Sequence, residues 1–344
     1  MQSGNYPYAG NRSIAQAQQS QRAARARRQA RRRAAGCLFL FLILIGLSCF
    51  SLWQSLWDHF SRFTPHPEAF SSHEAAQYSD LFAGISSTAA VLIEMDSGEQ
   101  LAALRADQPM PPASLTKLMT VFAALHLLDD LQQPVTLNSD LFPPLWEENA
   151  SMAGFLPGET VRAQELLYGA LLPSGAECCA GLAEAVGGEP VLLEEMNRLA
   201  QELGMTGSQF ENPTGLDQAG HQSTAADLAL LLREALREEY EPFRTIFTSW
   251  DHQCAGSDTH PDGLLLRSTL AFHRDLLQGE GWQVLGTKTG FTDAAGLCLA
   301  TLAKVGNAEY LLVTLGAPGA SASDTAHIED AALVWSRLAA QIEQ

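Results

Sequence analysis

No acidic residue precedes Asp58, and residues 34–57 contain no charged side chain at all. The first 57 residues nevertheless hold eight arginines: Arg12, Arg22, Arg25, Arg27, Arg28, Arg31, Arg32 and Arg33. Beyond them the balance inverts, to 13 basic against 39 acidic residues, so the formal net charge of -18 averages two unlike environments. Lysine is scarce: the whole chain has Lys117, Lys288 and Lys304. A hydrophobic content of 46% removes disorder as the default reading. There is no internal repeat.

The uncharged stretch is also apolar. Residues 37–45 read CLFLFLILI, and 34–53 reach the roughly 20 residues that cross a bilayer core. Arginines directly before it predict a cytoplasmic N-terminus. No clear small-x-small site follows the apolar run, which argues against a cleaved signal peptide. Gly46 stands where a lipobox would want leucine before Cys49, which argues against a lipoprotein. An arginine-rich nucleic-acid tail is a third reading, but a membrane span directly behind the arginines makes an anchor the better one. The expected organisation is therefore a basic cytoplasmic tail (1–33), a transmembrane signal-anchor (34–57) with Trp53 and Trp57 at the outer interface, and a polar juxtamembrane linker with two prolines (58–84). A folded extracytoplasmic domain (85–344) follows. The expected location is a single-pass membrane protein, with no nucleic-acid partner.

Cys37 and Cys49 fall in the apolar segment, leaving Cys178, Cys179, Cys254 and Cys298. A disulfide is permitted outside the cytoplasm, with three full pairings the sequence cannot rank. Neighbouring Cys178 and Cys179 point in different directions on a helix, and small buried hydrophobes is the favoured reading.

Residues 89–95 and 100–104 predict two strands around the turn signal Asp96-Ser97-Gly98. Helical patterns follow at 114–128, 164–172, 177–186, 189–203 and 224–236; Thr224 with Asp227 three residues on resembles a capping box. Strands return at 283–287, 297–303 and 309–315, broken at 290–296 and 305–308, before an amphipathic helix at 324–343. Strands from both ends and helices between them imply a mixed α/β fold, one sheet with a helical lobe.

Ser114-Leu115-Thr116-Lys117 opens the first helical run. Positions i and i+3 share a helix face, so the Ser114 hydroxyl and Lys117 amine can meet. Lysine acts as a base only if its pKa falls well below its usual ~10.4, which burial and a nearby cation both promote. Alone, such a pair is most simply a surface contact. A second lysine, however, begins Lys288-Thr289-Gly290 on a predicted strand entering a glycine turn. A cation and a hydroxyl there can hold a carboxylate, and glycine allows close approach to the backbone. Between them lies Ser174, whose simplest role is a helix N-cap.

In this order, Ser-x-x-Lys, Ser-x-x and Lys-Thr-Gly resemble the penicillin-binding proteins and β-lactamases. PASLTKLMT (112–120), LLPSGAE (171–177), LGMTGSQFENPTGLD (203–217), HQSTAADLA (221–229) and GTKTGFTDAAGLCLA (286–300) narrow the resemblance. The chain is similar to the low-molecular-weight penicillin-binding proteins, the D-alanyl-D-alanine carboxypeptidase family of serine peptidases. The resemblance implies an antiparallel sheet flanked by helices, with a helical subdomain. It implies Ser114 as nucleophile, Lys117 as its proton acceptor and Ser174 as a proton relay. Lys288, Thr289 and Gly290 would bind the substrate carboxylate, and the N–H groups of Ser114 and Phe291 would form the oxyanion hole. Expected partners are a peptidoglycan pentapeptide ending in D-Ala-D-Ala and β-lactams as covalent inhibitors, with no metal or organic cofactor. Ala176 departs from the family's usual asparagine, leaving water or Glu177 to substitute. A serine β-lactamase, a DD-endopeptidase and a catalytically weak wall-binding module are alternatives on the same fold.

Two other groupings are set aside. Asp251, His252, Cys254, Asp258 and His260 match no recognised zinc spacing and read as a polar loop between strands. Glu194 and Glu195 read as a helix face, not as deacylating acids.

Overall fold

The computed structural model describes residues 80–342. The expected tail and anchor lie outside the described residues, as does most of the expected linker. The linker's last residues are packed: Leu81 is fully buried, and Phe82 sits against the same core. The folded unit therefore takes in chain that the composition of 58–84 had assigned to a linker.

Six strands form the central sheet in the order β2-β1-β10-β9-β8-β7. They are β1 (Ala89–Glu94), β2 (Gln100–Leu104), β7 (Gln278–Gly279), β8 (Trp282–Thr292), β9 (Gly296–Val305) and β10 (Ala308–Ala317). Every pairing is antiparallel. Both faces of the sheet are covered, which is why its long strands read as almost unbroken apolar runs. Val91, Ile93, Ala300, Leu302, Leu311 and Val313 face one core. Leu92, Leu299 and Leu312, one residue out of phase, face the other.

That second core is closed by the C-terminal helix Ala326–Ile342. Its Ile328, Ala331, Trp335 and Leu338 recur at the spacing of a single helix face. Asp330 on the same helix accepts from the amides and hydroxyls of Ser86 and Ser87, at 2.6 to 2.9 Å, and so fixes the chain entering β1.

The first core belongs to the helical lobe. Helix α1 (Thr116–Leu127) is buried from Thr116 to Ala124, and a helix apolar on all sides needs neighbours on all sides. Those neighbours include α3 (Ala163–Leu171), α4 (Ala176–Ala185), α5 (Glu189–Glu202), α6 (Ala225–Ala235) and α7 (Glu241–Phe247), which follow the short α2 (Phe142–Glu147). Two small antiparallel pairs, β3 (Pro134–Thr136) with β4 (Thr160–Arg162) and β5 (Asp251–Gln253) with β6 (Leu265–Arg267), complete the lobe.

Three expectations change in detail. Residues 113–115 form a 3-10 turn ahead of α1, so Ser114 sits just outside the regular helix. The strand expected over 283–287 runs on as β8 to Thr292, through the expected break at Gly290, because Gly290 and Phe291 pair with Cys298 and Leu297 of β9. Thr224 caps α6 by accepting from the Asp227 amide, yet Asp227 itself accepts from Gly207 and Ser208 of a neighbouring loop. The four described cysteines are free and buried, as small hydrophobes.

Candidate active site

The turn bearing Ser114 is held in an unfavourable backbone geometry. Ala113 has φ 47, left-handed for a residue with a side chain, and it aims Ser114 out of the start of α1. One turn further on, Lys117 Nζ lies 2.8 Å from Ser114 Oγ and donates to the Thr214 carbonyl at 2.6 Å. The amine is 2% exposed as a residue, and burial lowers its pKa; the neighbouring Cys179, Glu177 and Cys178 partly offset this.

The Thr214 carbonyl is itself positioned. Asn212 Oδ1 accepts from the Thr214 amide and hydroxyl and from the Gly215 amide, folding Pro213–Gly215 into a tight loop. Thr120 of α1 donates to the Pro213 carbonyl at 2.6 Å. Gly215, at φ +81, backs directly onto Ala113, where a side chain would meet the Ala113 carbonyl oxygen at 1.9 Å. His221 adds a further tie. Its Nδ1 accepts from the Glu211 amide, leaving Nε2–H to donate to Thr116 Oγ1 at 2.7 Å. Burial holds this imidazole neutral, its pKa down at about 4.

Ser174 faces this group from the loop between α3 and α4, again with a left-handed backbone at φ 67. Lys288 Nζ donates to Ser174 Oγ and to the Thr289 carbonyl, both at 2.9 Å. Lys288 is fully buried; desolvation first, and repulsion from Lys117 second, push its pKa well below the lysine range. Thr289, half-buried, shares a 2.7 Å Oγ1–Oγ1 hydrogen bond with the exposed Thr269. Since β7 covers only the Trp282–Gln283 end of β8, the rest of that edge faces the Ser114 turn. Gly290 makes the approach possible: a methyl there would lie 2.9 Å from the Ser114 amide nitrogen. Phe291 follows on the same edge, half-buried.

The structure thus gathers Ser114, Lys117, Ser174, Lys288, Gly290 and Phe291 at one junction of sheet and lobe. Asn212, Thr214, His221 and Thr116 are supporting residues that the motif reading had quoted without assigning. Glu177 is another. Its Oε1 accepts from the Ala153 and Gly154 amides at 2.7 and 2.9 Å, and its Oε2 is buried without a hydrogen-bond partner. Desolvation raises its pKa against the lowering effect of those amides. Ala176 beside it is buried and contributes no polar side-chain atom.

The comparisons agree with this geometry. The family model described as D-alanyl-D-alanine carboxypeptidase matches residues 73–319. The chain is 33% identical to the Bacillus subtilis (strain 168) D-alanyl-D-alanine carboxypeptidase DacF, over 73% of this chain and 62% of that protein. It spans roughly three fifths of the length of such curated relatives. A crystal structure of a D-alanyl-D-alanine carboxypeptidase from Mycobacterium tuberculosis H37Rv aligns with TM-score 0.63 at 27% identity, covering 74% of this chain and 92% of that one. The Streptomyces K15 DD-transpeptidase shares the fold, with TM-score 0.64 at 24% identity over 73% and 96% of the two chains. With the family model matched along most of its length, the chain belongs to the D-alanyl-D-alanine carboxypeptidase family.

Proposed function

We propose that this chain is a serine-type D-Ala-D-Ala carboxypeptidase that trims peptidoglycan stem peptides through an acyl-enzyme on Ser114. The observation that carries the reading is a pair of lysine–serine contacts made by two buried lysines, Lys117 with Ser114 and Lys288 with Ser174, the lysines near enough to repel one another. A desolvated, neutral Lys117 accepts the Ser114 proton as Oγ attacks the carbonyl of the penultimate D-alanine. The N–H groups of Ser114 and Phe291 receive the developing oxyanion, where one preorganised donor contributes roughly 3–4 kcal/mol. Ser174, held by Lys288, passes a proton to the departing amine of the terminal D-alanine. Water then attacks the ester and releases the shortened peptide. The substrate's terminal carboxylate binds at Lys288 and Thr289, and its charge draws Lys288 towards the protonated state.

A β-lactam presents a carboxylate and a strained amide in the same relation and acylates Ser114 in turn. Incubating the full-length chain with penicillin should give one covalent adduct, mapped by mass spectrometry to Ser114 and absent in Ser114→Ala. A pentapeptide ending in D-Ala-D-Ala should lose one D-alanine. Rapid turnover of penicillin would favour a β-lactamase instead, and failure of both acylation and D-alanine release would sink the enzymatic reading.

We also propose that residues 34–57 anchor the chain as a single membrane pass, with the catalytic domain outside the cytoplasm. The support is the uncharged apolar run behind eight arginines. Among the described residues no helix is long and apolar enough to cross a membrane. Resistance of residues 80–342 to protease in sealed spheroplasts would overturn this orientation.

A further inference from the structure

The polar segment 251–260 has a partner that its own spacing could not reveal. His252 and Cys254 stand two residues apart at β5, so both side chains leave the strand on one face. That face meets Glu165, in the first turn of α3 and 87 residues earlier in the chain. One ligand atom each from Glu165, His252 and Cys254 lie within 4.8 Å of one another. Four-coordinate zinc spaces its N, O and S ligands about 3.3–3.7 Å apart, from bonds of 2.0–2.3 Å. Closing the triangle needs a shift of about 1 Å.

The surroundings are those of a metal site. The His252 ring is clamped flat on Tyr168, with centroids 3.7 Å apart and planes 4° from parallel. Arg162 pairs with the other carboxylate oxygen of Glu165 and orients it from outside the triangle. Glu165 and Cys254 are buried, whereas the His252 side chain is 20% exposed and opens a path for entry. The Cys254 thiol faces the Glu165 carboxylate, whose other oxygen is paired with Arg162.

We propose that Glu165, His252 and Cys254 form a binding site for a divalent ion of the zinc class, with solvent completing a four-coordinate shell. A thiolate and an imidazole select this borderline-soft class over magnesium or calcium. On binding, Cys254 gives up its proton to solvent. His252 Nε2, which donates to Glu165 at 2.6 Å in the metal-free arrangement, exchanges its proton for one on Nδ1 and turns its lone pair to the ion. The net release is one proton per ion. The site staples the β5–β6 pair to α3, the helix that leads to Ser174.

The test is a cobalt(II) titration of the purified full-length chain. The expected result is a saturable near-ultraviolet thiolate-to-cobalt band at one ion per chain, displaced by zinc, with one proton released. Cys254→Ser should abolish the band, and His252→Ala and Glu165→Gln should each weaken binding tenfold or more. Each variant should still be acylated by penicillin at Ser114, which separates this site from the catalytic reading. Absence of the band in the unaltered chain, or its survival in Cys254→Ser, overturns the proposal. If Cys254→Ser fails to fold by circular dichroism, the partly exposed His252 decides: unchanged cobalt affinity in His252→Ala overturns it equally.

Discussion

Gly290 of β8 lies against the backbone of Ser114, so near that a methyl on it would stand 2.9 Å from the Ser114 nitrogen and 3.0 Å from the Ala113 side chain. The obstacle on one side is main chain, which cannot swing aside as a long side chain can. Gly290→Ala should therefore push β8 and the nucleophile turn apart, at a cost of about 1–3 kcal/mol in stability. The oxyanion site spans the same gap, so penicillin acylation should slow tenfold or more. An unaltered acylation rate in a normally folded Gly290→Ala variant would show that this gap does not set the catalytic geometry.

Lys117 has to lose a proton before it can accept one. Burial lowers its pKa, so the acylation rate should climb with pH and level off at a lower pH than a solvent-exposed lysine would allow. Lys117→Arg keeps a cation that does not deprotonate, and should lower acylation by roughly 10²–10⁴-fold at neutral pH. An arginine variant that retained the parent rate would remove Lys117 from the proton transfer.

The Ser114–Lys117 half of this site was legible because that contact is short in sequence. Ser114 and Lys117 meet across one turn of chain, and the Lys288-Thr289-Gly290 strand announces itself by its apolar neighbours. What was illegible depends on distant chain. Nothing near Lys117 says that the Thr214 carbonyl, 97 residues away, is its second partner. Gly290 and Gly296 looked like the edges of a turn, and pairing with β9 carried β8 through the first of them. Asp227 looked like half of a capping box until a separate loop offered it two donors. Likewise, the residues at 251–260 matched no metal spacing because Glu165 lies in another element.

Lys288 supplies a stability test whose sign follows from its depressed pKa. The unfolded chain binds a proton here up to the ordinary lysine value near 10.5, while the folded chain releases it earlier. Between the two values the unfolded state holds more protons, so the contribution of Lys288 to stability improves as pH rises. Lys288→Met removes that dependence. Urea midpoints measured at about pH 7 and about pH 9.5 should show the variant gaining relative to the parent at the lower pH and losing that advantage at the higher. A constant difference would mean that Lys288 is no harder to protonate in the folded chain than in the unfolded one.

Glu177 holds the 153–154 turn against the site by accepting two amides, and its raised pKa makes the neutral acid easier to reach than at the surface. Glu177→Gln keeps the acceptor oxygen and should cost little. Glu177→Ala leaves both amides without that partner and should cost about 1–3 kcal/mol for each one that water cannot reach. Equal stability of the two variants in urea would show that the carboxylate does not fasten the turn.

Acid should weaken the domain through two histidines. His221 and His327 are both buried, and burial brings each down to about 4 from an ordinary 6.5, although Asp217 and Asp330 respectively pull the other way. The folded state keeps them neutral, while the unfolded state takes up protons as pH drops below the ordinary value. Their stabilising contribution is thus complete above about pH 6.5 and is lost progressively down to about pH 4, to a limit on the order of 3 kcal/mol each. His221 donates to Thr116 beside the Lys117 turn, whereas His327 lies on the opposite side of the sheet, so their losses should add. His221→Gln and His327→Gln should each flatten the fall in unfolding midpoint between those pH values, and the double variant should flatten it by the sum. If neither substitution changes the slope, protonation of these imidazoles does not drive the acid transition.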